Sequence, residues 1–255
     1  MSKLDAKLAA AQGLSSHLDA GVLTVVFERS EIDLETVQAL QATLQSIVGE
    51  ESIRVLVLCG AGGLRGNMEI GSCGDLVRLL RLLRSLSQPV VAKLSGVWRG
   101  SVLALVGACD IVYVADDAEF ALTEANLASF SYGPMEESIS RVMTTRSVSR
   151  HALDGRPFTG VEAERNGLAT LSFPASELDT ETHALLSSLL EKDPLALQFT
   201  KQTLHNVPGM SWDAVLDYNA AKFAQFKSLQ EGRPSARAAA VESFLAGTSK
   251  PGLGS

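Results

Sequence analysis

Cysteine is scarce. The 255-residue chain has three, Cys59, Cys73 and Cys109. Their spacing fits neither a zinc site nor a CxxC redox pair, and an odd count without a pattern suits a reducing compartment. Two of them sit in apolar runs, where cysteine acts as a small buried hydrophobe. The four histidines, His17, His151, His183 and His205, form no HxH or HxxxH pair, so no metal site is expected. No run of Lys and Arg interleaves with aromatics, and the formal charge is −7 with a pI near 5.2. That balance disfavours nucleic acid and anionic membrane surfaces as partners. No apolar run is long and uninterrupted enough to span a bilayer. Residues 1–16 lack a continuous apolar stretch and carry Asp5 between Lys3 and Lys7, unlike a signal peptide. The expectation is a cytoplasmic protein.

What is present is a globular composition, 46% hydrophobic and 20% charged, with strand and helix patterns in alternation. Residues 22–27 (VLTVVF) and 53–59 (IRVLVLC) are strands by their β-branched apolar runs. Between them, residues 34–48 carry apolar side chains at helical spacing (Leu34, Val37, Leu40, Leu44, Ile47, Val48) behind a candidate N-cap, Asp33. Residues 75–86 place leucines on one helical face and arginines on another. Pro89 stops that helix and opens a strand at 90–94. Residues 102–108, apolar all round, predict a buried helix, and 110–115 another strand. The alternation predicts an α/β core. From residue 135 helices dominate (135–153, 176–191, 195–206, 211–229, 236–246), with one strand at 169–173. Residues 1–18 are expected to be a leader or first helix, 19–190 the core, and 191–255 a helical region that packs on the core or on a neighbouring subunit.

Two segments share one plan, strand, glycine-bearing turn, helix: residues 60–70 and 95–102. Helix N-termini present unpaired N–H groups and partial positive charge, and two facing each other would form a two-donor pocket for a developing oxyanion. Turn glycines alone mostly reflect backbone geometry.

The motifs around these turns add specificity. Residues 55–70 (VLVLCGAGGLRGNMEI) resemble the crotonase, or enoyl-CoA hydratase/isomerase, pattern of a buried strand, T-G-x-G and F-S-A-G-A-D-L. Residues 89–115 (PVVAKLSGVWRGSVLALVGACDIVYVA) resemble its K-P-x-I-A-x-V-x-G-x-x-x-G-G-G-x-x-L-x-x-x-C-D-I-x-x-A. Residues 119–125 (EFALTEA) are similar to A-x-F-x-x-P/S-E-I, and the stretch GRPFTGVEAERNGL starting at Gly155 to G-x-x-F-x-A-x-E-A-x-x-x-G-L. The stretches LEKDP, WDAVLDYNAAK and FLAGTSKPGL, with Lys201, look most like the hydroxycinnamoyl-CoA hydratase-lyase subgroup. The resemblance implies a ββα spiral core with a helical C-terminal extension, a homotrimer or hexamer, and an acyl-CoA or acyl-carrier-protein thioester as substrate, with no further cofactor.

Carried over by motif, the resemblance implies that the amides of Gly66 and Ser101 hold the thioester oxygen and that Glu124 is the catalytic acid or base. Ser101 stands where the family has glycine, so a Cβ points near the acyl path. The second glutamate of typical hydratases falls at Ala104, which removes two-carboxylate water addition. The hydratase-lyases carry a serine there and likewise keep one glutamate, at the Glu124 position. Met68 and Asn67 replace small residues and reshape the acyl pocket. Arg99 and Arg65 flank the turns and are candidates for phosphate or acyl contact, or solvated rim charges. Tyr218 is a candidate match for the tyrosine that holds a phenolic substrate from a neighbouring subunit in that subgroup, or a packed helix tyrosine. The N-A-L signature expected near residues 29–34 is absent, which leaves carrier-protein thioesters open beside CoA. These features give two readings: a lyase or isomerase working through an enolate with one carboxylate, or an inert binding or assembly subunit on the same scaffold. A third reading, a serine hydrolase, fits poorly, since neither Ser101 nor Ser131 has a His and Asp in register.

Overall fold

The computed structural model describes residues 13–60, 62–66, 73–127, 134–231, 245 and 247. In chain order the elements are β1 (Leu14–Asp19), β2 (Val22–Phe27), β3 (Glu31–Ile32), α1 (Leu34–Ser46), β4 (Val55–Gly60), β5 (Gly63–Gly66), α2 (Cys73–Ser85), β6 (Val90–Leu94), β7 (Val97–Gly100), α3 (Leu103–Val106), β8 (Ile111–Ala115), β9 (Glu119–Ala121), a 3-10 turn (Ala125–Leu127), α4 (Pro134–Val142), α5 (Thr145–Asp154), β10 (Phe158–Thr159), α6 (Gly160–Asn166), β11 (Leu171–Phe173), α7 (Leu178–Leu190), α8 (Pro194–Asn206) and α9 (Trp212–Gln230). The chain divides after Glu191 into a larger and a smaller unit. No helix among the described residues is long and apolar enough to cross a membrane.

The larger unit repeats one motif. A strand enters a six-stranded sheet (order β1-β2-β4-β6-β8-β11), the next short strand enters a five-stranded sheet (β10-β9-β7-β5-β3), and in the first three turns a helix follows. This is the ββα spiral expected from the crotonase resemblance. The large sheet is parallel apart from β1. Its central strands read as continuous apolar runs because both faces are covered. On one face, Leu56 and Leu58 join the main core with Leu40, Leu44, Leu79 and Leu83 of α1 and α2. On the other, Val55, Val57 and Val91 meet Leu185, Leu186 and Leu189 of α7. Asp33 caps α1 as expected, accepting from the Thr36 N–H at 2.8 Å.

The small sheet has one buried face, Ile32, Leu64, Trp98, Phe120 and Phe158, and one polar face. At the corner between the sheets Gly63 has φ +105°, and a Cβ there would lie 2.1 Å from the Val97 carbonyl oxygen. Only a residue without a side chain lets the two turns stack backbone to backbone.

Several expectations give way to other elements. Residues 14–18, at the end of the stretch expected to be a leader or first helix, are strand; with Asp19 they pair antiparallel with β2 across the positive-φ turn Ala20-Gly21, a hairpin without the usual Asn-Gly or Asp-Gly signal. Residues 63–66 and 97–100 are strands rather than loops, with only one apolar side chain each on the buried face. The buried helix predicted over 102–108 is a single turn, α3. The helix predicted over 135–153 is two, because Thr144 takes extended geometry and caps α5. Residues 160–166 form a helix with a Thr159–Glu162 capping box that the sequence reading left out. The helix predicted at 236–246 lies largely outside the described residues.

The smaller unit holds α8 and α9. Asp193 and Ser211 cap them. Phe199 and Phe226 pack edge to face at 5.3 Å, and the Lys222 ammonium sits 5.2 Å over the Phe199 ring.

Candidate active site at the end of the small sheet

Strands β5, β7 and β9 are adjacent and parallel, so their C-terminal ends lie side by side. Gly66 closes β5 and pairs with Gly100, the last residue of β7. Ser101 follows Gly100. Glu124 comes three residues after the end of β9. Sheet register therefore brings Gly66 and Ser101 together, and the chain leaves the end of β9 beside them toward Glu124. Thr123 belongs to the same cluster: its Oγ1 would be 3.5 Å from a Cβ on Gly100.

At this end the backbones approach closely. Gly100 has φ +73°, and a Cβ on it would lie 2.0 Å from the Gly66 carbonyl oxygen. A Cβ on Gly66 would lie 2.7 Å from Ser101 Oγ and 2.8 Å from the Val102 nitrogen. The Ser101 N–H donates to the Gly66 carbonyl at 2.9 Å, one more rung of the β5–β7 ladder. The amide expected as the second oxyanion donor is thus engaged within the protein. The Ser101 Oγ is shielded from solvent and has no hydrogen-bond partner among the described residues. An unpaired buried hydroxyl costs about 1–3 kcal/mol, so its retention calls for an explanation.

Glu124 is half-buried, and its Oε2 is a second shielded oxygen without a partner among the described residues. Burial pushes its carboxyl above the usual glutamate range, while the backbone amides of Glu124 and Thr123 pull weakly the other way. The Leu127 N–H donates to the Glu124 carbonyl at 3.0 Å and closes the 3-10 turn. Asn126 anchors this turn by donating to the Gly155 carbonyl at 2.9 Å. A carboxyl raised by burial holds its proton to higher pH than a solvated glutamate does.

Ala104 lies in α3, fully buried in the main core. Its carbonyl accepts from Ser138 Oγ at 2.6 Å. Arg99 pairs with Glu119 on the polar face of the small sheet. It shares a row with Arg65 and, through Arg65, with Glu31. Tyr218 is on α9 of the smaller unit, where its hydroxyl accepts from Asn206 Nδ2 at 3.0 Å. Met68 lies outside the described residues. Two supporting residues escaped the sequence reading. Ser138 ties α4 to α3 across 34 positions, with no local signal to betray it. Glu119 stands in the EFALTEA motif, but its partnership with Arg99 follows only from the β7–β9 register.

Residues 67–243 match the family model described as Enoyl-CoA hydratase/isomerase. The chain is 30% identical over 175 residues to the hydroxycinnamoyl-CoA hydratase-lyase of Pseudomonas fluorescens, a match covering 68% of this chain and 62% of that enzyme. The chain thus spans less than two thirds of that relative's length. It is 28% identical over 208 residues to the probable enoyl-CoA hydratase 2, mitochondrial, of Arabidopsis thaliana, covering 74% and 69% respectively. Among solved structures, the enoyl-CoA hydratase of Mycobacterium smegmatis superposes with a TM-score of 0.83 at 20% identity, over 94% of this chain and 98% of that one. At that identity the likeness bears on the fold. With more than half of its residues matched by the family model and the ββα spiral in place, the chain belongs to the enoyl-CoA hydratase/isomerase family.

Proposed function

We propose that the protein is an enzyme acting on an acyl thioester, polarising the thioester carbonyl at the Gly66–Ser101 turn and moving one proton with Glu124. The observation that carries this reading is the shielded, unpartnered Oε2 of Glu124 at the same sheet end as Gly66 and Ser101. The substrate's α-proton passes to the Glu124 carboxylate, the C–H electron pair becomes the enolate double bond, and the carbonyl pair moves onto oxygen. Hydrogen-bond donors aimed at that oxygen stabilise the charge as it develops. The proton then returns to carbon. With Ala104 at the second acid/base position, isomerase or lyase chemistry fits better than two-carboxylate hydration. The relationship to a hydratase-lyase and to enoyl-CoA hydratases supports a CoA thioester, and a carrier-protein thioester shares the same reacting group.

The test is turnover of a panel of enoyl, 3-hydroxyacyl, hydroxycinnamoyl and malonyl thioesters. Glu124→Gln is expected to lower kcat by about 10²–10⁴-fold with little change in thioester binding. Equal activity in that variant would remove Glu124 from the mechanism, and turnover of nothing in the panel would favour an inert scaffold.

We also propose a homotrimer or a hexamer. The helices of the smaller unit leave Trp212 74% and Phe223 59% exposed, with Leu204 and Leu216 exposed as well. An apolar surface of this kind is a candidate contact between subunits. A sedimentation mass equal to the 27.0 kDa monomer would refute it.

A further inference from the structure

We propose that the second hydrogen bond to the thioester oxygen comes from the Ser101 hydroxyl, in place of the Ser101 main-chain N–H. This rests on the reading that the end of the small sheet takes a thioester carbonyl, and it names the atom that does the work there. The main-chain N–H donates to Gly66 at 2.9 Å and extends the strand ladder, so a ligand would have to break that rung to use it. The hydroxyl has no such commitment among the described residues and is shielded from solvent. It packs directly over Gly66, where a Cβ would come within 2.7 Å of it.

A serine hydroxyl carries one rotatable donor hydrogen, so it can turn toward an acceptor without backbone movement. Glu124 Oε2 is the other shielded oxygen left unpaired at this sheet end. One ligand engages both if it brings an oxygen acceptor next to an acidic C–H. An acyl thioester has that pair of features on neighbouring atoms. Proton transfer from the α-carbon to Glu124 then places the new negative charge on the oxygen that faces Ser101. Glycine at this position, usual in the family, would leave the oxygen dependent on the amide already tied to Gly66. The serine is thus a substitute donor, and the Cβ that narrows the turn is what carries it.

The experiment uses the full chain and acetoacetyl-CoA, whose enolate absorbs in the near ultraviolet, so that binding is read without turnover. The wild-type protein is expected to enrich the enolate on titration. Ser101→Ala is expected to weaken enolate binding about 100-fold, the scale of one lost oxyanion donor. Ser101→Gly, which keeps the amide and loses only the hydroxymethyl group, should fall by the same factor. Ser101→Thr, which keeps a hydroxyl, should bind the enolate more tightly than either. Unfolding midpoints of all three are measured alongside, and the comparison is made among the variants that retain the wild-type fold. Wild-type enolate binding in Ser101→Gly or Ser101→Ala overturns the hydroxyl assignment and leaves the thioester reading intact. No enolate enrichment by the wild type, together with no turnover of the thioester panel, overturns both.

Discussion

The two sheets of the larger unit are built on different terms. In the large sheet, β4 and β6 are apolar strands of six and five residues, covered on both faces by helices. Burial of Leu56, Leu58 and their helical partners holds them, with Lys93 the one charged side chain, paired with Asp179. In the small sheet, the strands have two to four residues with one buried side chain apiece, apart from β9, which also buries Ala121, and at Gly63, Gly66 and Gly100 the backbones meet where side chains are missing. Shielded polar atoms without a partner, Ser101 Oγ and Glu124 Oε2, occur at its C-terminal end. The large sheet supplies the stability that the small sheet's end draws on to hold groups in positions unfavourable for folding, the pattern expected where a scaffold carries a reactive site.

That contrast can be broken by substitution. In the small sheet the damaging change is the addition of one methyl group. Gly63→Ala puts a Cβ 2.1 Å from the Val97 carbonyl at a φ that side chains rarely adopt. Backbone strain and overpacking, each about 1–3 kcal/mol, give an expected loss of about 4 kcal/mol. In the large sheet the damaging change is removal. Leu56, fully buried, should lose about 3 kcal/mol on replacement by alanine, from transfer and cavity terms together. Urea unfolding of both variants measures the difference. If Gly63→Ala is benign, the two turns are not locked backbone to backbone.

The same contrast decides what could be read from the sequence. Strands β2, β4, β6 and β8 of the large sheet are legible because they are runs such as VLVLC, whose hydrophobicity is continuous. The helices α1 and α2 showed in their apolar spacing. Strands β5 and β7 were read as loops because GLRG and VWRG carry one buried side chain apiece and owe their extended form to neighbours distant in sequence. The hairpin of β1 and β2 was lost to an Ala-Gly turn without the usual signal. Glu124, Gly66 and Ser101 are named through motif resemblance, and the register of β5 and β7 sets Gly66 beside Gly100, next to Ser101. The hydrogen bond that engages the Ser101 amide was not legible, because it depends on a one-rung continuation of the ladder. Nor was the Ser138 contact to Ala104, whose two ends lie on helices of unrelated pattern.

The smallest expected effect concerns Glu124 as a cost to folding. Burial raises its carboxyl above the ordinary value of 4.5. Below that value the carboxyl is neutral in both folded and unfolded chains, and burial carries no ionic penalty. As pH climbs, the unfolded chain ionises first while the folded protein keeps its proton. Unfolding is then favoured, and stability falls until pH has passed the raised folded-state value. Glu124→Gln removes this penalty. The variant should therefore gain stability relative to wild type as pH rises from about 4.5, with the gain levelling off above the folded-state value. Urea midpoints of the two proteins between about pH 3.5 and 8 test the sign. A relative gain that grows on acidification would mean that the fold favours the ionised carboxylate. The small sheet's end would then resemble an ordinary ion-pairing surface, and Glu124 would lose the burial that raises its carboxyl above the ordinary glutamate range.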